Sequence, residues 1–220
     1  MDILAKGARR FDLEWTLNND GLLEISGDGY MESYSYDFKE YGAPWAEYGT
    51  FIKKAVIHPD LRSIGNCAFI ECKSLEEVTL PDGLKEIGDY AFRLCESLKK
   101  IVIPEGTGSI GVSAFSACTK LESITLPAGL REIEDFTFVR CRSLKKIYIP
   151  KTVTSIGLNA FLGCSSLKEI FFEGDRPRIL SEAFYDVSAA AYYPAENKTW
   201  TQCPLKNYGG DICWKEKDVS

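Results

Sequence analysis

Eight cysteines and one histidine give this 220-residue chain its widest chemical range. Thiols can pair as disulfides or, as thiolates, hold a metal ion. The spacing points elsewhere. There is no C-x-x-C, and His58 is the single imidazole. Cys72, Cys95, Cys118, Cys141 and Cys164 are each 23 residues from the next. A fixed interval puts each thiol at one place in a repeating unit, where free cysteine packs as a small hydrophobe with a weak donor. No cofactor or metal is therefore expected. Neighbouring thiols of the series would lie about 4.8 Å apart, which leaves an occasional bridge open. Cys67, Cys203 and Cys213 fall off the interval, and a Cys203–Cys213 bridge is a second open pairing.

The elements that position these cysteines follow one pattern, L-x-x-I-x-I-P-x-x-L-x-x-I-G-x-x-A-F-x-x-C-x-S, starting at Ile52, Leu75, Leu98, Leu121 and Leu144, with a decayed copy from Leu167. A period in the twenties is the mark of a leucine-rich-repeat solenoid. Within Leu98-Lys99-Lys100-Ile101-Val102-Ile103, strand alternation points Ile101 and Ile103 inward and Lys100 and Val102 outward. Pro104 has no N–H to give a ladder and ends the strand. Gly111 marks a tight bend, and Ala114-Phe115 with Cys118 make a turn or short helix on the convex side. One phenylalanine per repeat, Phe69, Phe92, Phe115, Phe138, Phe161 and Phe184, forms a column. The fold class expected is an α/β solenoid: short parallel strands, turns or short helices on the convex side, and β-rich caps. Residues 1–51 form the N-terminal cap, 52–189 six repeats, and 190–220 the C-terminal cap.

Composition sets outer bounds. No run reaches the roughly 20 apolar residues of a membrane span, so membrane insertion is not expected. A net charge of −6 argues against a nucleic-acid partner. Residues 1–10 hold no apolar core long enough for a signal peptide, which leaves a cytoplasmic location open.

The outward strand positions carry alternating charge. Positions two and three read Lys53-Lys54, Glu76-Glu77, Lys99-Lys100, Glu122-Ser123, Lys145-Lys146 and Lys168-Glu169. Rungs about 4.8 Å apart would set opposite charges face to face. One reading is a self-neutralising ladder; the other is a basic strip for an acidic ligand. All four tryptophans, Trp15, Trp45, Trp200 and Trp214, lie outside the repeats. Exposed ends of a solenoid need covers, and these rings suit that task. Segments 13–17 and 22–25 flank Asn18-Asn19-Asp20-Gly21 as a hairpin. The tyrosine-rich stretch 30–41 is either part of that cover or an exposed contact surface. Asn197-Lys198-Thr199 matches the glycosylation sequon, a short and common motif.

The unit L-x-x-I-x-I-P…I-G-x-x-A-F-x-x-C closely resembles the BspA-type leucine-rich repeats, the Treponema-like class of 23-residue repeats, over roughly residues 52–189. The stretch W-T-L-N-N-D-G-L-L-E-I-S-G-D-G with Ala43-Pro44-Trp45, and the ending Tyr192-Tyr193-Pro194-Ala195-Glu196-Asn197-Lys198-Thr199-Trp200, look like the caps of such proteins from gut bacteria. The resemblance implies a surface or secreted protein, with adhesion to host matrix proteins as one role, and no catalytic motif. Repeat four departs from the pattern with Glu134 for glycine, and repeat three with Thr107-Gly108 for an aliphatic.

A curved parallel sheet offers a concave face whose outward side chains vary without touching the core. Position five reads Val56, Thr79, Val102, Thr125, Tyr148 and Phe171. Tyr148 and Phe171 would neighbour each other beside Lys146. The candidate contact residues are Lys100, Val102, Thr125, Lys146, Tyr148 and Phe171, taking a protein or glycan ligand. The structural alternative is strand propensity, with Phe171 tucked under the C-terminal cap. A second reading is an intracellular scaffold, which suits thiols kept reduced. An enzyme is not expected: His58 stands in a repeat turn, Glu76-Glu77 on a charge ladder, and Gly106 and Gly108 in a turn.

Overall fold

The computed structural model describes residues 2–8, 12–35, 42–202 and 204–217. Three antiparallel strands open the chain: β1 (Ile3–Ala8), β2 (Glu14–Asn18) and β3 (Leu22–Ser26). Asn18 Oδ1 accepts the N–H groups of Asp20 and Leu22, both at 2.9 Å, and closes the β2–β3 hairpin. Gly21 takes φ +84° there, a backbone state that suits glycine. β1 stands outside the expected hairpin and adds an antiparallel strand to it.

Each repeat then gives a concave strand and a two-residue strand. These are β4 (Lys54–Ile57) and β5 (Ser63–Ile64), β6 (Glu77–Thr79) and β7 (Glu86–Ile87), β8 (Lys100–Val102) and β9 (Ser109–Ile110), β10 (Ser123–Thr125) and β11 (Glu132–Ile133), β12 (Lys146–Ile149) and β13 (Ser155–Ile156), and β14 (Glu169–Phe172) and β15 (Arg178–Ile179). β16 (Ser188–Pro194) and β17 (Asp211–Lys217) carry the parallel ladder on through the C-terminal residues. The concave ladders fall into three groups: β1–β2–β3–β4–β6, β8–β10, and β12–β14–β16–β17.

The fold is a β-solenoid, and the expected α/β class needs correction. Among the described residues there is no α-helix, and the 3-10 turns Ala46–Tyr48 and Lys198–Trp200 lie outside the repeats. Two causes are visible. Convex N–H groups donate to the next coil: Tyr90, Phe92 and Leu94 to the carbonyls of Val112, Ala114 and Ser116, at 2.8–2.9 Å. They are therefore not free for an i−4 partner. In addition, two residues per repeat are left-handed. One series is Cys67, Tyr90, Ser113, Phe136, Asn159 and Glu182; the other is Glu71, Leu94, Ala117, Arg140, Gly163 and Asp186. A left-handed residue interrupts a right-handed helix.

The core runs along the stack. The six phenylalanines are fully buried, with successive centroids 5.1–5.8 Å apart and planes within 18°. Truncating one ring to alanine costs about 3–5 kcal/mol. Trp45 continues the column at 5.9 Å from Phe69 and donates its indole N–H to Ala68 O at 2.7 Å. At the other end Trp200 packs 4.8 Å from Phe172 and 5.1 Å from Tyr193. Trp45 and Trp200 thus cover core. Thr107 occupies an aliphatic site; it is fully buried and its hydroxyl donates to Leu84 O at 3.4 Å.

The departure at Glu134 has a steric cause. Asn66 Oδ1 accepts the N–H of Asp89, Asp89 Oδ1 that of Val112, and Asp135 Oδ1 that of Leu158, at 2.6–2.9 Å. A Cβ on Gly88, Gly111 or Gly157 would overlap the Asn66, Asp89 or Asp135 side chain, each 22 residues earlier. The residue 22 before Glu134 is Val112, which presents no such oxygen. A Cβ on any of these three glycines would also meet the backbone nitrogen of the same Asn or Asp, at 2.5–2.7 Å.

Candidate ligand-binding face

The five interval cysteines are buried and free. Their thiols serve the backbone: Cys95, Cys118, Cys141 and Cys164 donate to the carbonyls of Phe69, Phe92, Phe115 and Phe138 at 3.0–3.2 Å. Burial pushes Cys72, Cys118 and Cys164 up to about 12, and Cys95 and Cys141 also upward. A thiol held protonated is a poor nucleophile and metal ligand. Cys213 is exposed on β17, and the pairing with Cys203 lies outside the described residues. Among the described residues no cluster of His, Cys, Asp or Glu is arranged to hold a metal ion. No helix among them is long and apolar enough to cross a membrane.

His58 is an exposed turn residue whose N–H donates to Ile25 O at 2.9 Å. The sequon residues cap a turn: Asn197 Oδ1 accepts the N–H and hydroxyl of Thr199, and its amide donates to Asp175 at 2.9 Å. Of the tyrosine-rich stretch, Tyr30 is exposed and Tyr34 buried, while residues 36–41 lie outside the described residues.

The concave face carries the variable side chains. Strand pairing sets Lys54 beside Glu77, and the ions meet at 2.8 Å. Lys99 meets Glu76 at 3.3 Å and Lys145 meets Glu122 at 2.8 Å. The hydrogen bond within each pair, and then the attraction of the charges, lowers the Glu77 and Glu122 carboxyls and raises Lys54. All these groups are exposed, so they set register more than they stabilise. The ladder is not complete. Among the described residues Lys100 and Lys146 make no ion pair, and neither do Lys215 and Lys217 on β17.

The six candidate residues divide into two places. Lys100 and Val102 on β8 border an open cleft of about 340 Å³ where the ladder between β6 and β8 is interrupted. Glu77, Thr79 and Asp82 line its other wall, and Val102 is 60% exposed. Thr125 pairs with Val102 across β8–β10 and is exposed. Lys146, Tyr148 and Phe171 come together on β12 and β14. Tyr148 is 44% exposed and its ring stacks on Phe171 at 4.8 Å and 13°.

The stack has a third member. Tyr192 on β16 lies 4.9 Å from Phe171 with planes 10° apart. Lysines surround the rings: Lys146 Nζ is 5.8 Å from the Tyr148 centroid, Lys215 Nζ 5.8 Å from Tyr192, and Lys217 Nζ 5.4 Å from Phe171. Phe171 is thus half-buried between two tyrosines. Tyr192 escapes a ruler of 23 because the interval shortens to 21 at Phe171↔Tyr192. The signal available was the alternation in Ala190-Ala191-Tyr192-Tyr193, with Lys215 a full interval later.

A parallel solenoid of 23-residue coils with an uncovered concave sheet defines a leucine-rich-repeat protein, a class of scaffolds that generally bind proteins through that sheet. The chain belongs to the family described as the BspA type leucine-rich repeat region, which matches residues 46–168 and 85–199 in six copies. It is similar to the T. pallidum leucine-rich repeat protein TpLRR, with 29% identity over 83% of this chain and 89% of that one, at a TM-score of 0.62. A leucine-rich repeat protein from Bacteroides ovatus matches at 22% identity over 100% and 76% of the two chains, with a TM-score of 0.34. The pneumococcal vaccine antigen PcpA matches at 13% identity over 98% and 100%, with a TM-score of 0.42. No curated protein matches the chain.

Proposed function

We propose that this protein is a non-catalytic binding module that captures a protein partner on the C-terminal end of its concave face. The carrying observation is the partly exposed strip of Tyr148, Phe171 and Tyr192, three stacked rings crossing three strands. Aromatic side chains are the commonest anchors of binding hot spots. Strand propensity alone accounts for single rings at these positions, but not for lysines gathered around them without ion partners among the described residues. An adhesive role at a cell surface fits the same face. Retention inside the cell as a scaffold is the alternative, favoured by six buried free thiols.

The test is capture by immobilised matrix proteins and glycans, read by surface plasmon resonance. The variant Tyr148→Ala/Phe171→Ala should lose capture while its Tm shifts by less than about 4 °C, the equivalent of roughly 1 kcal/mol. Capture that survives the double substitution refutes the site. A collapse of Tm would instead make the rings structural.

A further inference from the structure

The chemistry of the strip narrows what it can hold. A ring presents a negative face and a positive edge. Phe171 has both faces occupied, and each tyrosine has one face against it. Four of the six ring faces are thus used within the stack, which leaves ring edges, the tyrosine hydroxyls and the two outer tyrosine faces as its free surface. Three ammonium groups lie 5.4–5.8 Å from the ring centroids. Among the described residues none of the three makes an ion pair, whereas Lys54, Lys99 and Lys145 on the same sheet all do. Among the described residues the carboxylates near these rows are Glu169, across the ladder from Lys146, Glu173 and, farther along β17, Asp211, and none of them is within 4.0 Å of a lysine. The chain as a whole carries −6, but screening at physiological salt limits charge effects to about 8 Å, so the local sign decides.

We infer that the strip binds an acidic stretch of polypeptide in extended form. This rests on the concave-face reading above and deepens it. Four strands at about 4.8 Å spacing give the strip a length of roughly 14 Å, the reach of about four extended residues. Carboxylates of such a segment pair with Lys146, Lys215 and Lys217, and its apolar or tyrosyl side chains lie along the ring edges. Polypeptide is favoured over a neutral glycan because sugars stack on ring faces, and four of the six faces here are used within the stack while Lys146 and Lys215 lie over the two tyrosines. It is favoured over a sulfated glycan because the strip is apolar between its charges, and Val102 and Thr125 extend the same row.

The full chain is titrated by fluorescence anisotropy with labelled poly(Glu,Tyr), poly(Lys,Tyr) and heparin at 50 and 300 mM NaCl. Poly(Glu,Tyr) should bind at least tenfold tighter than poly(Lys,Tyr) and weaken at the higher salt. The variant Lys146→Ala/Lys215→Ala/Lys217→Ala should lose at least tenfold, while Lys99→Ala/Lys145→Ala, which removes paired lysines, should not. Equal affinity for the two copolymers, or no loss in the triple variant, overturns the inference. Tighter binding of heparin with the same lysine dependence replaces the peptide by an anionic glycan. If capture of some other partner still depends on Tyr148 and Phe171, the concave face remains the site and only the acidic class is wrong. If no capture depends on them, the concave reading itself fails.

Discussion

The thiol of Cys118 donates to the carbonyl of Phe92 in the preceding coil at 3.1 Å. Each such contact joins the cysteine position of one repeat to the phenylalanine position of the one before. The column of rings and the column of thiols are therefore stitched by one repeated hydrogen bond. The thiol is chosen because it fills a small apolar site and still satisfies a buried carbonyl.

Native thiol reactivity should follow from that placement. Treated with iodoacetamide and mapped by mass spectrometry, folded protein should carry the label on Cys213 and leave Cys72, Cys95, Cys118, Cys141 and Cys164 unmodified. Labelling of any of the five at the Cys213 rate would contradict the buried ladder.

Alkali should unfold the protein through the same groups. Burial raises Cys72, Cys118 and Cys164 to about 12 from an ordinary value of 9.0. Below pH 9 these thiols stay protonated in folded and unfolded chains alike, and stability does not depend on them. Between pH 9 and 12 only the unfolded chain releases the proton, so stability falls as pH rises. Each thiol contributes on the order of 4 kcal/mol over that span, at about 1.36 kcal/mol per unit. Urea midpoints should be flat from pH 7 to 9 and then drop. Cys118→Ala/Cys164→Ala should show a shallower drop, and an unchanged slope would remove the thiols as its cause.

The left-handed convex positions store strain that can be relieved. Arg140 is exposed at φ +58°, and its counterpart one repeat on is Gly163 at +70°. A non-glycine residue pays roughly 1–2 kcal/mol there. Glycine pays about 0.5–1 kcal/mol in the unfolded chain. Arg140→Gly should therefore raise stability by up to about 1 kcal/mol, or roughly 2–4 °C in Tm by calorimetry. Arg140→Val should lower it. A fall in Tm for the glycine variant would show that the arginine side chain contributes more than its backbone costs.

Much of this molecule is legible in one sequence because its signals recur. The 23-residue interval, the alternation in Leu98–Ile103 and the phenylalanine at each Ala-Phe pair repeat often enough to define the stack. The convex side is not legible in the same way. Tyr90, Ser113, Phe136 and Asn159 share a left-handed backbone but no residue type, and their interruption of a helix is invisible to composition. Partners of convex N–H groups lie one repeat away, so a single repeat read alone suggests a helix it does not form. The site was half legible. Tyr148 and Phe171 follow from position five, but Tyr192 and the β17 lysines follow only once the 21-residue step is known.

The coupling between Asn or Asp and the glycine 22 residues later makes the sharpest prediction for the scaffold. Val112→Asp alone places a carboxylate against Glu134, whose own carboxyl is already raised, first by burial and then by Glu132, Asp135 and Asp89. Overpacking of this kind costs about 1–3 kcal/mol. Glu134→Gly alone should cost about 0.5–1 kcal/mol through backbone entropy. Together they recreate the arrangement of Asp89 with Gly111, in which the carboxylate accepts a backbone N–H of the next coil. The double variant should therefore be more stable than the sum of the singles predicts, by about 1–2 kcal/mol on the scale of contacting pairs. Gly111→Ala, with Asp89 left in place, should be destabilising because the new methyl overlaps that side chain and its backbone. Urea unfolding of all five proteins settles the point, and strict additivity of Val112→Asp and Glu134→Gly would show that the two positions do not select each other.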